Sequence, residues 1–370
     1  MLFKTISIPI DLDENVLLPF MEQCSRLYNE YIDWAWNNKT WNKTKAHYQL
    51  YKYFRSTYPD LPSSMIQSVR DVALEAVKRS KFKSKKPRAK KYSSIRYDQR
   101  TMTLRGSQLT FSCVGKRQKV ILNIPEHFKQ VVNNWKFKGG NICYQKGQFW
   151  VKLWFKTKEP QSYQNNNVLG IDLGLYNICV LSNGKIISAK QLRKQQRKYL
   201  YNRKKLQSKG TPSAKRKLKK LSGKEKRFSR DFNHCISKYI ASLDYGTFAI
   251  ENLKNIRNQS KKSKKLNKWI SSWPFGQLKD FLIYKSKEQG KEVVQVDARY
   301  TSQKCSMCGH ISKNNRNKSR FNCELCGFKF HSDINAAINI RDNFLLSSVN
   351  KLTDRQAEVK QPNVSTINNS

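Results

Sequence analysis

The fold of this chain is decided by the stretch VLGIDLGLYNICVL at Val168–Leu181. Its first half is rich in residues that favour β-structure and carries an acid, Asp172, near its end. Gly174 then predicts a tight turn, and Asn177 to Leu181 predicts a second strand. A third strand, at Lys185 to Ser188, would complete a meander. The stretch therefore places a carboxylate at the end of a buried strand.

The residues that follow continue an α/β order. Residues 190 to 230 carry 18 Lys and Arg against one acid, Glu225, and predict a basic helical hairpin, with a solvated helical face as the alternative reading. Phe248 to Ile250 predicts a buried strand that ends at Glu251. After a Lys-rich loop at Lys261 to Lys268, a helix is predicted over Phe275 to Glu288 and a strand over Glu292 to Val296. Strands and helices in this order predict an α/β domain.

The N-terminal half predicts a β domain with a helical insertion. Lys4 to Ile10 alternates apolar and polar residues, which predicts a strand at a sheet edge. Helices are predicted from Asp13 to Trp36 and after Pro62, with Asp11 or Asp13 as the first cap. Strand-like segments between Met102 and Phe155 predict an antiparallel unit, as in a barrel. Polar residues from Glu159 to Asn167 predict a linker.

The charge of the chain indicates a polyanionic partner. The sequence has 72 Lys and Arg against 26 Asp and Glu, a formal net charge of +46. Such an excess costs self-repulsion that nucleic acid would neutralise. No apolar run approaches 18 residues and no signal peptide is evident, so we expect a cytoplasmic protein without membrane attachment. The basic run from Lys81 to Lys91 predicts a loop or a nucleic-acid contact.

The cysteines divide into two groups. Five are scattered singly and are interpreted as small buried hydrophobes: Cys24, Cys113, Cys143, Cys179 and Cys235. Four form two Cys-x2-Cys pairs, each followed by a glycine: Cys305, Cys308, Cys323 and Cys326. This spacing predicts a structural Zn²⁺ site, because four thiolates close a tetrahedral shell. His310 and His331 are interpreted as surface or core residues and not as ligands.

Asp172, Glu251 and Asp333 are the candidate catalytic residues. Taken singly, each is interpreted more simply as a turn or helix-cap residue. Together they sit at the edges of apolar elements within a strongly cationic chain that has few acids. Clustered carboxylates would bind Mg²⁺ or Mn²⁺, and two such ions support phosphodiester hydrolysis. The sequence therefore predicts a metal-dependent nuclease site.

These motifs resemble those of the TnpB (OrfB) family of transposon-encoded proteins, relatives of the type V CRISPR effectors. The matching segments are Gly170–Gly174, Arg230–His234, Ile250–Leu253, Thr301–His310 with the second cysteine pair, and Asp333–Ala337. The N-terminal half agrees only in layout. Ser332 departs from the pattern, because the family more often has arginine or alanine there, which puts a local phosphate contact in doubt.

The resemblance implies a multidomain α+β and α/β fold. It implies a β-barrel-like wedge domain with a helical recognition insert, and an RNase H-like RuvC nuclease domain interrupted by a four-cysteine zinc ribbon. The expected boundaries are 1–10 and 81–158 for the wedge, 11–80 for the insert, 166–300 and 328–345 for the nuclease domain, 301–327 for the ribbon, and 346–370 for a disordered tail.

The same resemblance implies a function. It implies an RNA-guided endonuclease that takes a guide RNA and cleaves double-stranded DNA beside a short flanking motif, with Asp172, Glu251 and Asp333 as the metal ligands. A catalytically silent RNA-guided repressor and a strand-transferring transposase are the alternatives, and a prokaryotic monomer is favoured. Candidate nucleic-acid contacts are Gln67, Lys85, Lys86, Arg88, Arg197, Arg203 and Arg230. Tyr48, Tyr51 and Tyr53 are interpreted as core residues rather than as base-stacking ones.

Overall fold

The structure, a computed structural model, describes residues 1–83, 85–252 and 275–359, with side chains to residue 348. It divides into two compact units, Met1–Lys158 and Glu159–Ser370. The division falls at the start of the polar segment that the sequence predicts as a linker. The Lys-rich loop predicted at Lys261 to Lys268 lies outside the described residues.

The first unit contains two antiparallel sheets and a group of helices. Its elements are, in chain order, β1 (Leu2–Ile10), α1 (Glu14–Asn37), α2 (Lys43–Thr57), α3 (Ser63–Ser80), β2 (Ile95–Tyr97), β3 (Met102–Arg105), β4 (Gln108–Ser112), β5 (Arg117–Ile121), α4 (Glu126–Asn134), β6 (Lys136–Gln145) and β7 (Gln148–Thr157). The first sheet has the order β1-β7-β6-β2, and β3-β4-β5 form the second.

The sequence pattern accounts for the main features of this unit. Ile6, Ile8 and Ile10 alternate inward along β1, which lies at the sheet edge as predicted. The Asp13 side chain accepts a hydrogen bond from the amide of Asn15 and caps α1. Because α1, α2 and α3 lie between β1 and β2 in sequence while β1 pairs with β7, the helices are an insertion into the β unit, as predicted.

Two expectations about this unit are wrong, and one helix was missed. The strands form two separate sheets and not one closed barrel, because β3, β4 and β5 pair only with one another in the described residues. Helix α2 was not predicted, since its polar sequence lacks a clear apolar stripe. Tyr48 and Tyr53 on that helix are 80% and 59% exposed, so neither is a core residue.

The second unit contains a five-stranded mixed sheet, a small three-stranded sheet and helices. Its elements are β8 (Val168–Asp172), β9 (Asn177–Leu181), β10 (Ile186–Ser188), α5 (Lys190–Lys209), α6 (Pro212–Leu221), α7 (Lys224–Ser242), β11 (Thr247–Glu251), α8 (Phe275–Lys287), β12 (Glu292–Val296), a short 3₁₀ helix (Lys313–Asn315), β13 (Arg316–Asn317), β14 (Arg320–Asn322), β15 (Lys329–His331) and α9 (Ser332–Val359).

The large sheet has the order β10-β9-β8-β11-β12, with β8, β11 and β12 parallel. Strands β8, β9 and β10 form the predicted meander. Apolar residues of the sheet pack against α5, α7 and α8 in one core, and Ala249 and Val296 pack against Ile340 of α9 in another. Gly170 allows α9 to lie directly on β8, because a Cβ there would stand 2.0 Å from the carbonyl oxygen of Ala337.

Several predictions for this unit need correction. The basic segment forms three helices rather than a hairpin, because the chain turns twice, with left-handed glycines at Gly210 and Gly223. Helix α9 continues to Val359, so the predicted disordered tail is wrong for residues 346–359, and residues 360–370 lie outside the described residues. The small sheet continues to His331, beyond the predicted ribbon boundary at 327.

The single cysteines mostly behave as predicted. Cys24, Cys113, Cys143 and Cys179 are buried, whereas Cys235 is exposed on α7, so its prediction is wrong. No helix in the part of the chain that the structure describes is long and apolar enough to cross a bilayer.

Candidate functional site

Two matching turns of backbone bring the four paired cysteines together. In each turn the glycine after the second cysteine donates its amide to the carbonyl of the first: Gly309 to Cys305 at 2.9 Å and Gly327 to Cys323 at 3.0 Å. Both glycines adopt left-handed φ values of 78° and 70°. A side chain is rarely tolerated in that conformation, which explains why glycine follows each pair.

The geometry of the sulfurs suits a tetrahedral metal ion. The ligand atoms of Cys305, Cys308, Cys323 and Cys326 all lie within 4.8 Å of one another. The Sγ atoms of Cys305 and Cys326 are 3.7 Å apart, and those of Cys308 and Cys323 are 3.6 Å apart. Four sulfurs about 2.3 Å from a central Zn²⁺ would be separated by about 3.8 Å. The backbone amides of Cys326 and Leu325 lower the pKa of Cys323 to about 6, which favours its thiolate. Against the lowering effect of the Phe328 amide, the neighbouring thiols raise the pKa of Cys326 to about 12, so that without an ion the negative charge resides on Cys323.

A second candidate site lies at the carboxyl ends of two neighbouring parallel strands. Ile171 of β8 pairs with Ile250 of β11 in register. The next residue on each strand is an acid, Asp172 and Glu251, so the two carboxylates leave the sheet side by side. This is the edge of an open α/β sheet at which ligands bind most often.

Helix α9 brings the third acid to the same place. Asp333 lies in its first turn, directly after β15, and only 16% of its side chain is exposed. The contact of α9 with β8 at Gly170 holds the start of the helix near the strand ends. Asn177 of β9 donates its side-chain amide to Oδ2 of Asp333 at 2.9 Å, which ties the acid to the sheet.

The charges of these acids act on one another. Burial, followed by the charges of Glu251 and Asp333, raises the pKa of Asp172 from an ordinary 3.8 to about 8, against the lowering effect of Arg316. Burial also raises the pKa of Glu251, although the Thr301 hydroxyl donates to its Oε1 at 2.5 Å and Arg316 acts in the same lowering sense. Without a bound cation Asp172 therefore holds a proton at neutral pH.

The three carboxylates are less tightly gathered than the cysteines. Among the residues that the structure describes, the four cysteines are the one set of three or more potential ligands within 4.8 Å of one another. Asp333 instead pairs with Arg316 of β13, whose Nη2 lies 2.7 Å from Oδ1 of the acid. Ions in a two-metal site are about 3.5–4 Å apart, and ligands of different ions need not form one close set.

The three acids were predicted from the sequence, but their neighbours were not. Arg316, Asn177 and Thr301 contact them through side chains that no spacing rule links to the acids. Arg316 lies between the two cysteine pairs, and nothing in the sequence distinguishes it from the many other Lys and Arg residues. Ser332 is fully buried, and its Oγ is without a partner in the described part of the chain, so its hydroxyl is not available for a surface phosphate contact.

A cleft opens in front of the acids. It is lined on one side by the turn from Asp172 to Asn177 and on the other by Arg316, Lys318 and Ser319 of the ribbon, with Asp333 between them. Lys318 occupies the turn between β13 and β14 with a φ of 56°. The cleft is therefore lined by two of the three acids and by two cations.

The predicted nucleic-acid contacts differ in their surroundings. Lys85, Arg197 and Arg230 are exposed, and Gln67 is partly buried on α3. Lys86 and Arg88 both pair with Asp33 of α1, and Arg203 pairs with Glu225. The last three side chains thus already hold a carboxylate partner.

Two family models match this chain. Residues 149–268 match a model described as a probable transposase, OrfB_IS605, and residues 275–340 match one described as a Cas12f1-like TNB domain. The second covers the four cysteines and Asp333. The resemblance predicted from the motifs is therefore confirmed.

Curated relatives carry related names. A Cas12f1 CRISPR-associated endodeoxyribonuclease of Sulfoacidibacillus thermotolerans is 35% identical over 33% of this chain and 29% of its own length. The TnpB-like protein MJ0751 of Methanocaldococcus jannaschii is 29% identical over 59% of this chain and 84% of its own length. The putative RNA-guided DNA endonuclease InsQ of Escherichia coli is 29% identical over 55% and 56%. The chain thus spans under a third of the Cas12f1 relative.

The solved structures extend the likeness to the fold. The chain of a Cas12f1 complex with single guide RNA and target DNA is similar with a TM-score of 0.63 at 18% identity, over 88% of this chain and 82% of that one. The fold is accordingly a mixed α/β multidomain fold similar to that of Cas12f1.

Proposed function

We propose that this chain is an RNA-guided DNA endonuclease that hydrolyses double-stranded DNA beside a short flanking motif, with divalent cations held by Asp172, Glu251 and Asp333. The observation that carries the proposal is the placement of Asp172 and Glu251 at the ends of paired parallel strands, near Asp333 at the start of α9. Burial, followed by the charges of Glu251 and Asp333, raises the pKa of Asp172 to about 8. The names of the curated relatives, which include RNA-guided and CRISPR-associated nucleases, support the same reaction.

The donor set fits hard divalent ions. Carboxylate oxygens on three separate elements are the ligands that Mg²⁺ and Mn²⁺ prefer. Bound there, such ions would activate a water molecule and stabilise the leaving oxygen of an in-line displacement. The chain's own part is to place the carboxylates: β8 and β11 fix Asp172 and Glu251, while Asn177 and Arg316 orient Asp333.

The cations of the cleft have a separate role in this proposal. Arg316 and Lys318 line the wall opposite the turn that follows β8. Their charges would attract a phosphodiester strand, and Arg316 would exchange its carboxylate partner for a phosphate when cations neutralise Asp333. The four cysteines would hold Zn²⁺ and so fix the β13–β14 turn that carries both side chains.

The remaining domain assignments follow the same resemblance. We propose that residues 166–300 and 328–345 form an RNase H-like RuvC domain around the ribbon, and that the first unit is a wedge domain with a recognition insert. The guide RNA would supply sequence choice by base pairing, and Lys and Arg side chains would hold the heteroduplex by its backbone. Lys85, Arg197 and Arg230, which are exposed, are the first candidates for that contact.

The test is cleavage by the purified ribonucleoprotein. RNA that copurifies with the chain is sequenced, and a matching DNA duplex with randomised flanks is supplied with Mg²⁺ or Mn²⁺. Asp172→Asn should lower the cleavage rate about a thousandfold or more, because it removes a ligand used in the transition state. Binding of the guide RNA and of the DNA should change little.

Asp297→Asn is the matched control. Asp297 directly follows β12, the next parallel strand, but its side chain is 61% exposed and pairs with Arg299. This variant should cleave as the natural chain does. Undiminished cleavage by Asp172→Asn would remove the carboxylate site from the reaction. Guided binding without cleavage would indicate a repressor, and joined strands would indicate a transposase.

A further inference from the structure

An exposed aromatic side chain stands at the rim of the carboxylate cleft. Tyr176 lies in the turn between β8 and β9, lines the cleft together with Asp172 and Asp333, and is 71% exposed. The next residue, Asn177, bonds to Asp333. An exposed aromatic ring contributes nothing to the hydrophobic core. Its position in the same cleft as two candidate catalytic acids indicates that it contacts a ligand.

The backbone holds this residue in place. The amide of Ala189, at the start of α5, donates to the carbonyl oxygen of Tyr176 at 3.0 Å. Within the turn, Gly174 approaches Asn177 so closely that a Cβ on Gly174 would stand 2.8 Å from the carbonyl oxygen of Asn177. The ring is therefore carried by a fixed turn.

A cation covers one face of the ring. The guanidinium carbon of Arg193, on the first turn of α5, lies 4.4 Å from the centroid of the Tyr176 ring. This is the distance of a cation–π contact, which also restricts rotation of the side chain. Because one face is covered and most of the residue remains exposed, the opposite face and the edge are the parts open to solvent.

The surroundings of the open face suit a nucleotide. Arg316 and Lys318 line the same cleft, so a strand that enters it is attracted through its phosphates. An aromatic ring beside a cationic groove is the arrangement with which proteins stack on successive bases of a single strand. A base within a duplex has both faces covered by its neighbours and offers no face to such a ring.

We propose that Tyr176, backed by Arg193, stacks on an unpaired base of the DNA strand whose phosphate enters the carboxylate cleft. The inference rests on the proposed nuclease function and deepens it, because it names the side chains that contact a base at this cleft. Stacking by one ring tolerates any base, so Tyr176 would favour unpaired DNA without adding sequence preference.

Photocrosslinking tests the contact without relying on cleavage. The probe is a single-stranded oligodeoxynucleotide with 5-iodouracil at one position in each member of a series, bound to the full-length ribonucleoprotein. Illumination joins the iodinated base to an aromatic side chain stacked on it, and mass spectrometry identifies the peptide. We expect a crosslink at Tyr176 from one or two adjacent positions, and its loss in Tyr176→Ala.

Cleavage of an unlabelled single strand provides the second measurement. Tyr176→Ala should lower kcat/KM about tenfold, chiefly through a higher KM, whereas Tyr176→Phe keeps the ring and should cleave as the natural chain does. Tyr201→Ala is the matched control, because Tyr201 is 65% exposed on α5 of the same unit and does not line the cleft.

The two proposals fail in different ways. A missing crosslink at Tyr176, or full activity of Tyr176→Ala, overturns the stacking contact even if Asp172 is essential for cleavage. A crosslink at Tyr176 in a ribonucleoprotein that never cleaves DNA supports the contact and overturns the nuclease function.

Discussion

The cysteine cluster and the carboxylate cluster of the second unit are assembled in opposite ways. Each cysteine pair is placed by its own turn, with a glycine in the left-handed conformation. The carboxylates come from two parallel strands and a helix and meet only when the sheet and α9 are formed. The cysteines form one close ligand set, and the acids do not. A site made by local turns is complete by itself, whereas one made by long-range packing depends on the packing and on the ion.

Weakening the contact between α9 and β8 should give the largest difference between the two sites, because it should impair the carboxylates and leave the cysteines intact. In Gly170→Ala the new methyl group would stand 2.0 Å from the carbonyl oxygen of Ala337, so α9 has to move away from the strand. Displacing a catalytic group by about 1 Å costs about a hundredfold in rate, and we expect that loss in DNA cleavage. Zinc content, measured by atomic emission, should stay at the value of the natural chain.

Gly184→Ala is the control for this variant. Gly184 also lies in the second unit, in the turn after β9, but no atom lies within 4 Å of its missing Cβ. Its φ of 90° strains any side chain there, so it reports the effect of local strain away from α9. If Gly170→Ala keeps full activity, the carboxylate site does not depend on this contact; if it loses zinc as readily as activity, the two sites are not independent.

A smaller effect is expected at the residue that links the two sites. Arg316 belongs to the ribbon but pairs with Asp333 at 2.7 Å, where its charge competes with a divalent ion for the carboxylate. In Arg316→Gln we expect Mn²⁺ to bind about fivefold more tightly, the equivalent of about one partly exposed ion pair. Electron paramagnetic resonance of free Mn²⁺ measures the affinity.

Arg320→Gln is the control for the Mn²⁺ titration, because Arg320 lies on β14 of the same ribbon and is exposed. It should bind Mn²⁺ as the natural chain does. Weaker binding in Arg316→Gln would mean that the arginine helps to build the site, and an unchanged affinity would mean that its pairing with Asp333 does not oppose the ion.

The smallest effect concerns stability and pH. The pKa of Asp172 is raised from 3.8 to about 8, so the folded state holds a proton that the unfolded chain has lost. Without divalent ions, stability should therefore fall as pH rises from about 4 towards 8. Asp172→Asn should abolish this pH-dependent loss of stability. We expect it to raise the Tm near pH 8 by about 5 °C, with little change near pH 4.

Saturating Mg²⁺ sharpens this measurement. The ion offsets the repulsion in the natural chain, so the difference in Tm between it and Asp172→Asn should shrink or reverse near pH 8. Thermal unfolding followed by circular dichroism at both pH values measures it. A Tm difference that is the same at both pH values would show that Asp172 does not carry the raised pKa.

The sequence predicted what depends on short-range patterns. The Cys-x2-Cys-Gly pairs, the meander that begins at Val168 and the alternation in β1 were all recognisable from neighbouring residues. The three acids were found because each ends or begins an apolar element. The pairing of Arg316 with Asp333 was not, since it depends on the direction in which the ribbon leaves the sheet.

Other misses have their own physical reasons. Helix α2 was not predicted because it has no continuous apolar face; only Ala46 and Phe54 on it are buried. The disordered tail was inferred from polar composition, but α9 is already nucleated by its packing on the sheet and continues to Val359. The barrel was inferred from the number of strands, which says nothing about whether a sheet closes.

The polar segment that precedes β8 has a consequence for protein engineering. Although the composition of the segment is that of a linker, Tyr163 donates its amide to the carbonyl of Gly290 and its hydroxyl to the carboxylate of Asp244. The backbone at Gln161 and Asn165 passes so near Gly290 and Gly246 that no side chain fits at either glycine. The segment is therefore packed against the rest of the second unit. A fusion partner or a split point placed there would disrupt these hydrogen bonds and backbone contacts. The turn at Lys146–Gly147, where a Cβ on Gly147 would meet no neighbour, is the better site for an insertion or a break in the chain.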